Sequence, residues 1–418
     1  MRRRSLDLFT EGKRGHSSGV AAPSRVYLAP GMFGFARLAS FEYFEHVVRA
    51  FEERFRSAGR PLEVHVVELH PTSSVRRRAA KLARMVLATS AGDEGPIHLV
   101  GHSTGGLDAR LLASPTVNLG EPDLHPIPWA SRLRSVTSVN TPHYGTPLAS
   151  FFATVSGQRL LYAVSALTVA ALKLGAPPLT LTSTLIAAFG RAHVDVFEIE
   201  TVDRIVDAVV RVLDEAASRE LRAWLKLLRD DQGAVVQLMP EAMDLFQAGV
   251  EDRAGVRYQC VATFAPARGA TDWLAALRSP WGALSATLFT ALHQITGRYD
   301  PRYPCAPADG SAHAHAKACV RALLGEEPAF GASDGIVPLY SQIWGELVWV
   351  GRADHLDIVG HFHGPASGHT DWLSSGAHFS QVRFDLAMDR IVDGLLEAEE
   401  RRGPSLSTHA ISAAALLG

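Results

Sequence analysis

The chain has 418 residues, of which 47% are hydrophobic and 20% are charged, and both fractions are ordinary for a soluble globular protein. Its formal net charge of -2 gives no general attraction to nucleic acid or to anionic membranes, so neither is expected as a partner. The length allows about two or three domains.

The first segment, residues 1–23, starts with a basic cluster and has no apolar stretch behind it. A secretory signal needs about 7–15 apolar residues at that point. We therefore expect a flexible basic tail and a cytoplasmic location. Residues 401–418 show little pattern and are predicted to form a second tail.

Short apolar runs bounded by turn residues predict strands between these tails. They cover residues 25–30, 62–69, 96–102, 134–142, 257–264 and 346–351. Helical patterns at 40–59 and 73–92 separate the first three strands. Alternation of this kind is typical of an α/β protein with a mostly parallel central sheet and helices on both faces.

The alternation stops at residues 151–255, where the pattern is helical only. One predicted helical face carries Val202, Ile205, Val206, Val209, Val210 and Leu213. We predict one core, made of 24–150 and 256–400, with 151–255 inserted as a helical lid or a fixed cap. The apolar run from Leu160 to Leu172 is shorter than the roughly 20 residues that span a bilayer, so we expect a buried or lid helix there and no transmembrane anchor.

Two pentapeptides fit G-x-S-x-G, the pattern of a nucleophilic serine on a strand-to-helix turn. Ser17 lies in the first, which has a charged segment before it and Pro23 after it. Ser103 lies in the second, where an apolar strand comes before the turn and a helical pattern follows it. The context therefore favours Ser103 as the nucleophile.

A serine nucleophile needs a histidine base and an acid that orients it, and on this fold the chain order is serine, acid, histidine. Asp334 lies in a turn before the last predicted strand, and His355 is the first histidine after that strand. We predict these two as acid and base. The rival histidines are His361, His363, His369 and His378.

An oxyanion hole needs two backbone N–H groups near the serine. Thr104 follows the serine directly, at the positive end of a predicted helix. Met32 follows Gly31 in the turn after the first core strand, although a purely structural turn explains those glycines equally well. Met32 and Thr104 are the predicted donors.

The three cysteines are Cys260, Cys305 and Cys319, and no C-x-x-C pair is present. Cys305 and Cys319 could pair in an oxidising compartment, but two free thiols are the default expectation. His313 and His315 lie between them without further residues at ligand spacing, so no metal is expected there.

Three blocks of sequence resemble the bacterial triacylglycerol lipases typified by Pseudomonas and Burkholderia enzymes, in the α/β-hydrolase superfamily. The blocks are "LVGHSTGGLDAR" with "SVTSVNTPHYGTP", then "SDGIVPLYS", and then "DHLDIV". The resemblance implies an α/β-hydrolase fold with Ser103 as nucleophile, Asp334 as acid and His355 as base. It also implies N–H groups of Met32 and Thr104 at the oxyanion, and a lid within 151–255.

The sequence departs from that family at several positions. Pro30 and Gly31 replace the usual His-Gly pair, and Thr104 replaces a glutamine. Many relatives bind a structural calcium near the histidine loop, and Asp357 matches one carboxylate ligand. His361 stands where a glutamine oxygen is usual, and imidazole is a poor ligand for calcium. We therefore expect no metal and no cofactor.

Together these residues predict a serine carboxylic-ester hydrolase, a lipase or a carboxylesterase, acting on an ester or lipid, with a lipid–water interface as one setting. The same triad would serve an acyltransferase, a polyester depolymerase or a thioesterase, because all of them share the acyl-enzyme intermediate.

Overall fold

The computed structural model describes residues 22–32, 37–38, 41–125, 127–174, 182–183, 199–298, 311–329, 331–363 and 370–400. Nearly all of both predicted tails lies outside this part of the chain, as do Ser17, Cys305 and His369. The expectation that Cys305 and Cys319 are free thiols and the domain boundaries at 24, 151 and 256 stay predictions.

Six of the strands begin and end close to where the apolar runs predict them, whereas two short strands were not predicted, and one of these lies within the helical pattern predicted at 40–59. The strands are β1 (Ser24–Ala29), β2 (Arg37–Leu38), β3 (Phe41–Glu42), β4 (Leu62–Val66), β5 (Ile97–His102), β6 (Leu133–Val139), β7 (Arg257–Phe264) and β8 (Glu346–Arg352). In the described chain, six of them form one sheet in the order β4-β1-β5-β6-β7-β8, and every neighbouring pair is parallel. The short strands β2 and β3 form a separate antiparallel pair.

Helices connect these strands. They are α1 (Glu45–Ser57), α2 (Val75–Ser90), α3 (Thr104–Ala113), α4 (Pro147–Phe152), α5 (Val155–Leu174), α6 (Ile199–Val212), α7 (Glu215–Asp230), α8 (Gly233–Gln237), α9 (Pro240–Gly249), α10 (Ala270–Ala276), α11 (Pro280–Thr296), α12 (Ser311–Leu324) and α13 (Gln381–Glu400). The predicted α/β architecture is confirmed.

The hydrophobic core lies on both faces of the sheet. On β1, Val26 and Leu28 belong to one buried cluster and Tyr27 and Ala29 to another, because successive strand residues point to opposite faces. The first cluster includes residues of α1 and α13, and the second includes residues of α2 and α3. Since both faces are covered, apolar residues of one strand point to both sides of the sheet, as the sequence pattern indicated.

The order of the strands reverses at β1. From β1 the chain passes to the sheet edge at β4 and then returns to the other side of β1 as β5. At such a reversal the connections leave in opposite directions and open a crevice at the carboxyl ends of the strands. The turn after β1 and the turn after β5, which carry Met32 and Ser103, both lie at this crevice.

Between residues 151 and 255 the described chain is helical, from α5 to α9. The stretch Val155–Leu172 of α5 has a mean hydropathy of 1.3 and could cross a membrane by length and composition, but 72% of it is buried inside the protein, as in a core helix. α6 ends at Val212, and α7 begins after Asp214, whose carboxylate accepts a hydrogen bond from the N–H of Ala217 and caps that helix.

Candidate active site

Ser103 occupies a strained turn between β5 and α3. Its φ of 56° and ψ of −129° lie where residues with a side chain rarely occur, and the surrounding structure holds it there. The N–H of Ser103 donates to the carbonyl of Val139 at 2.8 Å, and its own carbonyl accepts from the N–H of Gly106 at 3.1 Å. The hydroxyl is thereby raised at the carboxyl end of the strand.

The glycines around Ser103 are required by close backbone contacts. A Cβ atom on Gly101 would lie 2.2 Å from the backbone of Gly105, and one on Gly105 would lie 2.0 Å from the carbonyl oxygen of Ala29. One on Gly106 would lie 2.0 Å from the hydroxyl of Thr141. The helix after the serine can approach the sheet this closely only because three side chains are absent.

His355 lies directly after β8 and pairs with Asp334. Its Nδ1 is 2.7 Å from Oδ2 of Asp334, and both side chains are fully buried. The other oxygen, Oδ1 of Asp334, accepts hydrogen bonds from the N–H groups of Ile336 and Val337 at 2.8 and 2.7 Å. Since the carboxylate accepts, Nδ1 of His355 carries the proton and Nε2 has a free lone pair.

The rival histidines are placed differently. Nε2 of His361 donates to the carbonyl of Tyr43 at 3.0 Å, and His363 is exposed. His378 is also exposed and pairs with Asp272 at 3.0 Å. His369 lies outside the described residues. The structure thus brings His355, among the described histidines, to Asp334.

Nε2 of His355 is buried and has no hydrogen-bond partner in the described chain. The ring of His102, the residue before Ser103, lies next to the His355 ring, tilted by 51° and with the ring centroids 4.7 Å apart. A hydrogen bond between a catalytic hydroxyl and its base is often long or absent until substrate binds. The arrangement therefore keeps an uncommitted base close to the Ser103 turn.

The two predicted oxyanion donors lie beside the serine. A Cβ atom on Gly31 would be 2.5 Å from Cβ of Ser103, so the turn that leads into Met32 touches the nucleophile turn. Thr104 is the first residue of α3, where a backbone N–H has no helical acceptor. Met32, Ser103 and Thr104 line one cavity.

That cavity is narrow and mostly apolar. Its volume is about 20 Å³, which is room for roughly one water molecule. Its wall is completed by Pro142, Thr146, Leu148, Ala149, Phe152, Leu238, Ile336 and Val337. Ser103 is only 6% exposed. An ester larger than this cavity therefore needs the wall from α4 and Leu238 to move.

Three carboxylates cluster beside the histidine loop. One ligand oxygen from each of Asp354, Asp357 and Asp371 lies within 4.8 Å of the others. Burial raises the pKa of Asp354 to about 7, and burial together with the neighbouring carboxylates raises the pKa of Asp357 and Asp371 well above the ordinary range. Oδ2 of Asp354 and Oδ1 of Asp371 are buried without a hydrogen-bond partner in the described residues.

This donor set fits a hard divalent cation, which takes carboxylate oxygens and offsets their repulsion. His361 does not belong to this carboxylate cluster. The objection from the sequence, that a histidine would be a poor calcium ligand, therefore does not apply to these three residues. Sequence reasoning missed Asp371, because it lies well beyond Asp357 in the sequence and only the fold brings the two together. The prediction from the sequence that no metal binds remains untested.

No protein-family model and no curated protein matches the chain. Several solved structures are similar to it. They include lipase 1 from Pelosinus fermentans, with 14% identity over 88% of this chain and 98% of that one and a TM-score of 0.46. Staphylococcus hyicus lipase is 14% identical over 90% of this chain and 96% of that one, with a TM-score of 0.47. A metagenomic carboxyl esterase is 18% identical over 90% of this chain and 76% of that one, with a TM-score of 0.43.

Likenesses this distant carry no information about activity. The fold follows from the chain itself: a parallel sheet with order β4-β1-β5-β6-β7-β8, helices on both faces, and a strained serine turn between β5 and α3. This is the α/β-hydrolase fold that the sequence predicted.

Proposed function

We propose that the protein is a serine carboxylic-ester hydrolase. The observation that carries the proposal is the buried His355–Asp334 pair, whose imidazole centroid lies 4.7 Å from that of His102, the residue before Ser103, and whose Nε2 has no partner in the described chain. A serine hydroxyl is a poor nucleophile at neutral pH, and a neutral imidazole held in this tautomer is the base that activates it.

In the proposed reaction, Oγ of Ser103 attacks the ester carbonyl while Nε2 of His355 takes the hydroxyl proton. Asp334 holds the imidazole and stabilises its charged form. The N–H groups of Met32 and Thr104 stabilise the negative oxygen of the tetrahedral intermediate. His355 then returns the proton to the leaving alcohol, and a water molecule activated by the same nitrogen releases the acid from Ser103.

The first test compares two serines in equivalent pentapeptides. Ser103→Ala is expected to abolish both ester cleavage and covalent labelling by a fluorophosphonate, because the only nucleophile is removed. Ser17→Ala is the matched control and should change neither. Hydrolysis of nitrophenyl esters and mass spectrometry of the labelled protein measure both effects. Labelling that persisted in Ser103→Ala would contradict the proposal.

Within this class we propose a lipase-like enzyme, in line with the motif resemblance to the Pseudomonas and Burkholderia lipases. The apolar cavity wall and the helical segment 151–255 support a lid over an acyl groove. A series of nitrophenyl esters of increasing acyl length, run above and below their solubility limits, tests this. A rate that rises sharply above the limit supports a lid, whereas a flat profile with preference for short chains identifies a plain esterase with a fixed cap.

The proposed function also depends on which molecule accepts the acyl group: water, an alcohol or a thiol. We propose water, and product analysis in the presence of competing alcohols and thiols tests it. Ester or thioester products that outweigh the free acid would identify an acyltransferase instead.

We also propose that Asp354, Asp357 and Asp371 hold a calcium ion. When bound, the ion would supply positive charge between three buried carboxylates, and these residues would then hold the loop that carries His355. Calcium is expected to raise the thermal midpoint of the protein. Asp371→Asn should lose most of the calcium effect, because one of the three carboxylates that would hold the ion is removed.

Asp244→Asn, on the exposed side of α9, is the matched control and should keep the calcium effect. An equal calcium shift in Asp371→Asn, or no shift in the unaltered protein, would contradict the site.

A further inference from the structure

The backbone of His355 is held on both sides. Its N–H donates to the carbonyl of Asp334 at 3.0 Å. Its carbonyl lies 2.8 Å from Nε2 of His102 and 3.4 Å from Nδ2 of Asn140. With Nδ1 bound to Asp334, every polar atom of His355 except Nε2 is engaged. The position of that free nitrogen therefore depends on the groups that hold the carbonyl.

The carbonyl also determines the tautomer of His102. A carbonyl oxygen can only accept, so Nε2 of His102 must carry the hydrogen. Burial lowers the pKa of His102 well below its usual range, so the ring stays neutral and Nδ1 accepts. The hydroxyl of Tyr43 lies 2.7 Å from Nδ1 and must therefore donate. Burial raises the pKa of Tyr43, which keeps that hydroxyl protonated.

These contacts form a directed chain from the Tyr43 O–H to Nδ1 of His102, and from Nε2 of His102 to the His355 carbonyl. Tyr43, the first residue of this chain, is held in place as well, because Nε2 of His361 donates to its backbone carbonyl at 3.0 Å. All four residues are buried. Since His102 is also the residue before Ser103, one side chain joins the nucleophile turn to the backbone of the base.

We propose that Tyr43 and His102 are positioning residues that fix the distance between Ser103 and Nε2 of His355. The inference rests on the proposed function of that site. A displacement of about 1 Å between reacting groups can lower the rate about a hundredfold. We call the chain of hydrogen bonds from Tyr43 through His102 to the His355 carbonyl the relay. Its loss should lower kcat and leave substrate binding, which uses the apolar cavity, nearly unchanged.

The test uses two replacements of His102 that differ in reach. In His102→Gln, the amide nitrogen occupies the place of Nε2 and can still donate to the His355 carbonyl. In His102→Asn, the amide ends near the place of Nδ1 and cannot reach it. We expect His102→Asn to lower kcat about 10–100-fold with KM within about twofold, and His102→Gln to recover most of that loss.

A second pair tests the hydroxyl without altering the histidine. Tyr43→Phe should lower kcat by up to about tenfold, because Nδ1 of His102 loses its hydrogen-bond donor and the ring is then held only through Nε2. Tyr27→Phe is the matched control, since it removes a buried hydroxyl bound to Thr89, far from the site, and should leave kcat unchanged.

The outcomes distinguish a failure of the relay from a failure of the proposed hydrolase function. Equal kcat values for His102→Asn and His102→Gln would overturn the relay, as would equal values for Tyr43→Phe and Tyr27→Phe. The tyrosine pair decides the matter if either His102 variant fails to fold. Failure of the proposed hydrolase would show instead as labelling that persists in Ser103→Ala, which the relay variants do not affect.

Discussion

The carboxylate of Asp334 shows how single residues define the chemistry of the site. One oxygen accepts from His355, while the other is held by two backbone N–H groups of the turn that follows it. Nε2 of Gln342 lies 3.3 Å from Oδ2 as a further donor. A carboxylate surrounded by donors in this way cannot rotate, so it sets both the tautomer and the direction of the imidazole.

Asp334→Asn is therefore expected to lower kcat/KM about 1,000–10,000-fold. The amide nitrogen would donate where the carboxylate accepts, so the histidine would carry its proton on Nε2 and could not act as a base. Steady-state kinetics with a soluble ester measure this effect. Asp272→Asn alters the exposed Asp272–His378 pair instead and should leave kcat/KM unchanged. A loss of less than tenfold in Asp334→Asn would contradict the assigned role.

At the scale of elements, the junction of β5 and α3 is a contact between backbones. Gly101, Gly105 and Gly106 remove the side chains that would keep the helix from the sheet. The closeness places the positive end of α3 under the serine, where it favours a developing negative charge. The pattern G-x-S-x-G-G is thus a packing requirement as well as a catalytic motif.

Gly105→Ala tests that packing. The new Cβ would lie 2.0 Å from the Ala29 carbonyl oxygen, so β1 or α3 must move, and overpacking of this kind costs about 1–3 kcal/mol of unfolding free energy. Gly249→Ala is the matched control at the end of α9, where the new Cβ meets nothing within 4 Å. Thermal and denaturant unfolding compare the two, and equal stability would contradict the close contact.

At the scale of the whole molecule, a buried polar network joins the first strand to the last helix. His98, the second residue of β5, binds the hydroxyl of Ser135 at 2.8 Å and Oε1 of Glu399 at 3.0 Å. Glu399 also accepts from Ser24, at 2.6 Å, and from Arg60. Burial lowers the pKa of His98, and burial next to Arg110 lowers the pKa of His143 well below its usual range.

These two histidines make the folded protein sensitive to acid. Each takes up a proton near pH 6.5 when unfolded but stays neutral in the folded state, so their contribution is complete above pH 6.5 and is lost as the pH falls toward their lower folded pKa values. The loss is about 1.4 kcal/mol per histidine for each pH unit in that range. This contribution lowers the midpoint of thermal unfolding at pH 5.5 relative to pH 7.5, whereas protonation of Asp354, Asp357 and Asp371, whose pKa values are raised, acts in the opposite direction.

A variant isolates the contribution of His98 to the change of the thermal midpoint with pH. In His98→Gln the decrease between the two pH values should be smaller, because a group that binds a proton only in the unfolded state is gone. His125→Gln replaces an exposed histidine and should leave the decrease unchanged. An identical decrease in His98→Gln and the unaltered protein would show that His98 is not a source of the acid sensitivity.

Local pattern in the sequence by itself determined much of this protein. It located the six core strands, with β7 at Arg257–Phe264 as predicted, and the helices between them. It also favoured Ser103 over Ser17, because an apolar strand before and a helix after the serine are properties of neighbouring residues. Such properties arise from side-chain periodicity and turn chemistry, which a short window of sequence contains.

Only the tertiary structure decided which distant side chains meet. It paired His355 with Asp334, 21 residues away, rather than leaving five histidines open, and it brought Tyr43 to His102 across 59 residues. It also added Asp371 to the two aspartates of the histidine loop. These contacts depend on the order of strands across the sheet, and on which strand ends share one edge. No local pattern encodes that order, because it results from packing the whole chain around a single core.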